Sequence, residues 1–159
     1  MGLLNSNKIL LSEGIKLING VSLIPLKTHM DERGFFREIF RFSTQFPDVN
    51  IGQLSHSLVN EGVVKGWHGH LQQSQWNYVL QGTAKVVLKD DRENSPTYGE
   101  TMNFETGEGQ EAIGYFFPPG ILHGYRCTKG PMHIIYVTSG VYDLEDEVRE
   151  LMSVQELRY

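Results

Sequence analysis

The stretch GVVKGWHGHLQQSQWNYVLQG (62–82) constrains the chain most, because His68 and His70 stand one residue apart within it. In a β-strand, residues i and i+2 point to the same face, so the two imidazoles project together. A third histidine, His123, follows a Pro-Pro-Gly turn in PPGILHGY. Val63 and Val64 precede the pair, and WNYVLQGTAKVVL follows it, rich in aromatic and β-branched residues that favour strands. Strand, turn and strand therefore carry polar groups toward an apolar interior, where polar groups need a reason to be. Hydrogen-bonded core or strand histidines without chemistry are the bland alternative. It suits His29, His56 and His133 better than this pair.

Short strands with turns between them account for the rest. KILLSEGIKLINGVSLIPLK (8–27) alternates short apolar runs with Gly14, Gly20 and Pro25, a pattern of strands. Asp31 to Gly34 make a turn, and FFREIFRF after it alternates as an edge or half-buried strand does. Phe46, Pro47 and Asp48 mark a loop or a single helical turn. In IGQLSHSLV (51–59), Gln53, Ser55 and Ser57 alternate with Leu54, His56 and Leu58. If the polar set turns inward, it faces a ligand and not a dry core.

DDRENSPTYGE is a turn-rich loop, and TMNFETGEGQEAIGYFFPPG is strand, Gly-rich turn and strand. MHIIYVTSGVYD is the last clear strand, and LEDEVRELMSVQELRY spaces its apolar residues near the helical period. Roughly nine strands with turn signals every eight to twelve residues predict an all-β sandwich or barrel, a jelly roll first. The expectation is one domain over 1–159 with a short helical or irregular C-terminal tail.

A chain of 159 residues suits one domain. Its net charge of −5 argues against a nucleic-acid partner, which calls for a basic face. No apolar run approaches the roughly 18 residues of a membrane span. Gly2 and Ser6 formally fit the myristoylation pattern, a weak signal in six residues. The single Cys127 excludes an internal disulfide framework and fits a cytoplasmic location.

From Gly62 to Gly82 the spacing is G-x5-H-x-H-x4-Q-x6-G, and from Pro118 to His123 it is P-x-G-x2-H. This resembles the two cupin motifs, in which three His and a Glu bind a divalent metal, and it implies the cupin jelly roll. Gln75 stands where metal cupins carry Glu, so a charge that helps hold a dication is missing. A metal set of His68, His70, Gln75 and His123 is the alternative. It would mark a metal-dependent cupin acting on a small oxygen-rich substrate.

A wider resemblance rests on DERGFFRE (31–38), on Gln53 with Ser55 and Ser57, and on KGWHGH (65–70). SPTYG (95–99), PPGILHGY (118–125) and IIYVTSGVY (134–142) continue it in order. Together, over about residues 20–145, they resemble the dTDP-4-dehydrorhamnose 3,5-epimerase family, a metal-free branch of the cupins. The resemblance implies an epimerase, or an isomerase using the same enolate, acting on a nucleotide-linked 4-keto-6-deoxy sugar with no cofactor.

By that resemblance His68 falls on the base and Tyr136 on the acid. Arg33, Glu38, Gln53 and Lys65 fall on nucleotide contacts, and Tyr142 on an aromatic that stacks on the base. Asn77 falls where the family carries a Lys that stabilises the enolate oxygen, and His123 orients His68 or contacts the sugar ketone. The family's Asp that orients the base has no match in the sequence, and His70 replaces an amide. The resemblance also implies a homodimer, built by an N-terminal strand packing onto the partner. The non-enzyme alternative is a nucleotide-sugar-binding cupin without catalysis.

Overall fold

The computed structural model describes residues 16–153. The apolar runs and the Gly2/Ser6 pattern within 1–15 lie outside the described residues, as does 154–159. Between them run β1 (Ser22–Pro25), β2 (Thr28–Asp31), β3 (Gly34–Arg37), α1 (Phe42–Gln45), β4 (Gln53–Val59) and β5 (Val64–His70). β6 (Gln75–Asp90), β7 (Thr101–Gly107), β8 (Ile113–Phe117), β9 (Ile121–Thr138) and β10 (Glu147–Arg149) complete the order.

Every pairing is antiparallel, and the jelly roll expected from the sequence is present. Two long strands build it. β6 and β9 pair from Gln75↔Thr138 to Asp90↔Ile121, with register shifts between Val79 and Ala84. At this bend Gly82 has φ +75°, and a Cβ there would meet the Lys129 carbonyl oxygen at 2.5 Å. The bend lets one strand serve two sheets, as bulges do at barrel corners. Before it, β6 pairs with β8, which pairs with β1; after it, β6 pairs with β7. β9 likewise pairs with β5 through its first half and β4 through its second.

The core between the sheets includes Leu23, Val79, Val86, Leu88, Phe104, Phe117 and Ile134. On the outer face of the first sheet, Trp76 meets Phe42 and Phe46 edge-on, both at 5.3 Å. This cover buries β6 on both faces from Gln75 to Val79. β2 and β3 form a separate two-stranded sheet with Met30, Phe35 and Phe36 exposed.

Of the helical or irregular tail expected, the irregular alternative holds, with one three-residue strand added. Within the described residues it forms no helix, and β10 adds to the free edge of β5, with Glu147 opposite His70 and Arg149 opposite His68. An exposed strand edge offers unpaired N–H and C=O groups, whereas a helix this short is marginal in water. Val148 packs beside Trp67, Val87 and Leu122 and anchors the strand.

A buried carboxylate braces the turn that carries His123. Asp90, 0% exposed, accepts hydrogen bonds from Arg92 Nε and Nη2, both at 2.8 Å, Ser95 Oγ at 2.5 Å and Thr97 Oγ1 at 2.6 Å. The loop so fixed bonds to the turn from Asp91 N to Gly120 O at 3.1 Å, and Gly120 N donates to His70 O at 2.8 Å. Burial pushes the Asp90 carboxyl up, but its hydrogen bonds outweigh burial and hold it well below the usual carboxylate range. Asp90→Asn is expected to cost about 1.5–3 kcal/mol near neutral pH, the range for charge-assisted hydrogen bonds. Because the folded value is depressed, the advantage of Asp90 exists above the unfolded carboxylate pKa of about 3.9 and fades as pH falls below it. Urea denaturation of both proteins at pH 7 and pH 3 checks both the gap and its narrowing in acid.

Candidate functional site

The interior opens into a cavity of about 290 Å³ lined by His68, His70, Gln75, Asn77, His123 and Tyr136, among others. Period-two alternation on β5 explains the first two: Trp67 and Gly69 are buried in the outer packing while His68 and His70 turn inward. His123 on β9 is the cross-strand partner of His68. The His68 and His123 rings lie edge to face at 6.2 Å, and the His70 and His123 rings stack at 6.1 Å. Phe117 closes the other side of His123 at 4.6 Å.

β6 and β9 supply the rest. Gln75 Nε2 donates to Asn77 Oδ1 at 2.6 Å, and Asn77 Nδ2 lies 3.5 Å from Tyr115 O, so this amide pair is satisfied within the wall. Tyr136 is opposite Asn77 on one side and Ser55 on the other. On β4 the polar set does face inward: Gln53 and Ser57 line the cavity, while Leu54, His56 and Leu58 are exposed. Gln53 donates to Ser55 Oγ at 3.0 Å and accepts from Tyr142 N at 3.1 Å, which fixes the loop carrying Tyr142 at the mouth. Lys65 also lines the cavity, from the exposed end of β5.

Arg33 and Glu38 are not brought to this cavity within one chain. Arg33 pairs with Asp31 at the β2–β3 turn, and Glu38 pairs with Arg41. Three residues that sequence analysis did not single out arrive with the C-terminal segment: Asp146, Glu147 and Arg149. Glu147 and Arg149 line the cavity, and Arg149 Nη2 lies 2.9 Å from both Glu147 carboxylate oxygens. His70 Nδ1 lies 3.2 Å from Asp146 Oδ2. The alternation Glu147-Val148-Arg149 was the available signal, hidden inside a longer spacing that resembled a helix.

Burial, then the Arg149 charge, lower the pKa of His68, with Glu147 offsetting in part. Burial, then the neighbouring His70 and His68, push His123 down to about 3, so it stays neutral at physiological pH. Burial and the nearby Tyr136 push Tyr125 up to about 12. The deep end is thus uncharged imidazole, amide and phenol, and the cations Lys65 and Arg149 stand near the mouth.

The metal alternative finds no matching geometry. Among the described residues no group of three or more His, Cys, Asp or Glu is placed to hold a metal ion. The Gln75 side chain is engaged with Asn77. His70 and His123 meet as stacked rings with centroids 6.1 Å apart.

The model of the dTDP-4-dehydrorhamnose 3,5-epimerase family matches residues 16–157. The spore coat polysaccharide biosynthesis protein SpsL of Bacillus subtilis is 39% identical over 136 residues, 84% of this chain and 89% of that protein. The probable low-salt glycan biosynthesis epimerase Agl13 of Haloferax volcanii is 31% identical over 135 residues, 84% of this chain and 86% of that protein. Among solved structures, the dTDP-6-deoxy-D-glucose-3,5-epimerase RmlC of Legionella pneumophila, in complex with dTDP-4-keto-L-rhamnose, superposes with a TM-score of 0.80. That likeness covers 91% of this chain and 81% of the other at 26% identity. With a matching jelly roll and a matching sequence over nearly its whole length, the chain belongs to the dTDP-4-dehydrorhamnose 3,5-epimerase family.

Proposed function

We propose that the chain epimerises a nucleotide-linked 4-keto-6-deoxy sugar in cell-surface carbohydrate biosynthesis, with His68 as base and Tyr136 as acid. The observation that carries this reading is that the two residues, from β5 and β9, line one cavity whose deep end is neutral. The ketone acidifies the hydrogens on carbons 3 and 5. His68 takes one as a proton; the C–H pair forms a carbon–carbon double bond and the carbonyl pair moves to oxygen, giving an enolate. Tyr136 returns a proton to that carbon from the opposite face, the carbonyl re-forms, His68 releases its proton to solvent, and the phenolate regains one from solvent. Neutral His123 contacts the ketone oxygen as negative charge develops there, with Asn77 lining the same cavity.

The charged mouth suits the nucleotide. Lys65 and Arg149 meet the diphosphate, Gln53 contacts the nucleotide, and Tyr142 stacks on the base. Arg33 and Glu38 act only if a second copy brings its β2–β3 hairpin to this mouth. The exposed Met30, Phe35 and Phe36 on that hairpin suit such a homodimer. No helix among the described residues is long and apolar enough to cross a membrane. With its free, buried Cys127, the chain suits the cytoplasm.

Incubation with dTDP-4-keto-6-deoxyglucose in D2O is expected to place deuterium at carbon 3 or carbon 5. His68→Asn abolishes this exchange, because an amide cannot act as base. Tyr136→Phe leaves exchange but blocks net epimer formation. Nucleotide-sugar binding by wild-type protein without exchange over hours would leave a binding module and end the enzyme reading.

The pH profile of kcat/KM has a worked-out direction. Activity needs neutral His68, so it rises as pH climbs through that pKa. The pKa is lowered, which places the acid limb below the ordinary imidazole value of about 6.5. Arg149→Ala removes a cation that opposes the imidazolium, so the limb moves up toward 6.5. The same variant weakens dTDP about 10-fold, or ~1.4 kcal/mol, by calorimetry.

A further inference from the structure

The mechanism leaves the buried carboxylate beside His70 unused. Asp146 has a side chain 3% exposed, just before β10. Its position is fixed from several directions. Oδ1 accepts the Gln72 N–H at 2.5 Å, its carbonyl accepts the Leu71 N–H at 3.0 Å, and its own N–H donates to Asp143 O at 3.2 Å. Oδ2 faces His70 Nδ1 at 3.2 Å. Both atoms are shut off from solvent, and among the described residues neither makes a hydrogen bond, to each other or to any other group, so the 3.2 Å approach is an electrostatic contact. A buried carboxylate is costly unless paired, so it favours a proton on the nitrogen beside it. Carboxylates fix imidazole tautomers in this way wherever the two meet.

That choice decides what His70 shows the cavity. Its Nδ1 is enclosed, yet the side chain is 20% exposed and lines the cavity, so its accessible edge is the rest of the ring. Stacking on His123 at 6.1 Å and 23° holds the ring plane. A neutral ring protonated on Nδ1 carries its lone pair on Nε2, as a hydrogen-bond acceptor. A sugar ring offers hydroxyl donors.

We propose that His70, positioned by Asp146, is the acceptor for a hydroxyl of the sugar ring and so discriminates the sugar, not the nucleotide. The inference rests on the nucleotide-sugar reading of the site. It gives Asp146 a role as a positioning residue: it touches no substrate and acts through His70.

Two measurements on the full chain test it. In 15N-labelled protein without ligand, two-bond proton–nitrogen correlations are expected to show His70 protonated on Nδ1 alone, with Asp146→Asn changing that tautomer. A doubly protonated ring or the opposite tautomer in wild type overturns the proposal. Calorimetry then compares dTDP with dTDP-6-deoxyglucose. His70→Phe and Asp146→Asn are each expected to weaken the sugar nucleotide about 3–10-fold while leaving dTDP unchanged, the worth of one neutral hydrogen bond.

His70→Gln, whose carbonyl still accepts, recovers most of the loss. The double variant His70→Phe with Asp146→Asn is no weaker than His70→Phe alone, because the two residues act as one unit. Equal weakening of dTDP and sugar nucleotide overturns the proposal in favour of a structural role, and no weakening of either overturns it outright. If wild-type protein binds no dTDP, the nucleotide-sugar reading fails and the hydroxyl role fails with it. The tautomer measurement needs no ligand and separates that result from an error about the pair.

Discussion

The antiparallel ladder between β6 and β9 is the constraint on which the rest of the structure depends. It runs from Gln75↔Thr138 to Asp90↔Ile121, and each strand has a different outer neighbour on either side of the bend near Gly82. Without that bend the strands would belong to one flat sheet and enclose nothing. With it, Gln75, Asn77, Tyr136 and Thr138 on one half face His123 and Tyr125 on the other across the cavity. The cost is local: a glycine with positive φ, and backbone packed too closely there for any side chain.

A polar cavity inside an apolar barrel has to satisfy its own groups. The deep end avoids net charge: Gln75 and Asn77 pair with each other, and His123 stays neutral because protonating it there is unfavourable. Full charges are kept where water or an opposite charge is available. Lys65 and Arg149 sit near the mouth, and Arg149 lies against Glu147. This gradient suits a ligand with a charged diphosphate at one end and an uncharged sugar at the other. By the proposed mechanism an enolate in the deep end meets fixed dipoles in place of mobile water, which is where electrostatic stabilisation is most effective.

β10 links the architecture to the chemistry. Closing the edge of β5 is a structural need, and the three residues that do it, with Asp146 before them, bring an acid to His70 and an Arg beside His68. The β2–β3 hairpin, on the other hand, leaves Met30, Phe35 and Phe36 uncovered and holds Arg33 away from its own chain's cavity.

The sequence by itself determined the all-β class, the strand positions through the middle of the chain, and the convergence of His68, His70 and His123. Those follow from period-two alternation and turn residues, which are local properties of the backbone. The alternation on β4 left its inward face open between Gln53, Ser55 and Ser57 and Leu54, His56 and Leu58, and its pairing with β9 settles it for the polar set. Tertiary structure alone decided the tail. Its apolar spacing is compatible with a helix, and what makes it a strand is the unpaired edge of β5, a feature no local window contains. Only that pairing brings Asp146 to His70 and Arg149 to His68. Sequence likewise placed Arg33 and Glu38 among ligand contacts by motif, while the folded chain ties them to Asp31 and Arg41, because a hairpin's direction is set by what it packs against and not by its own residues.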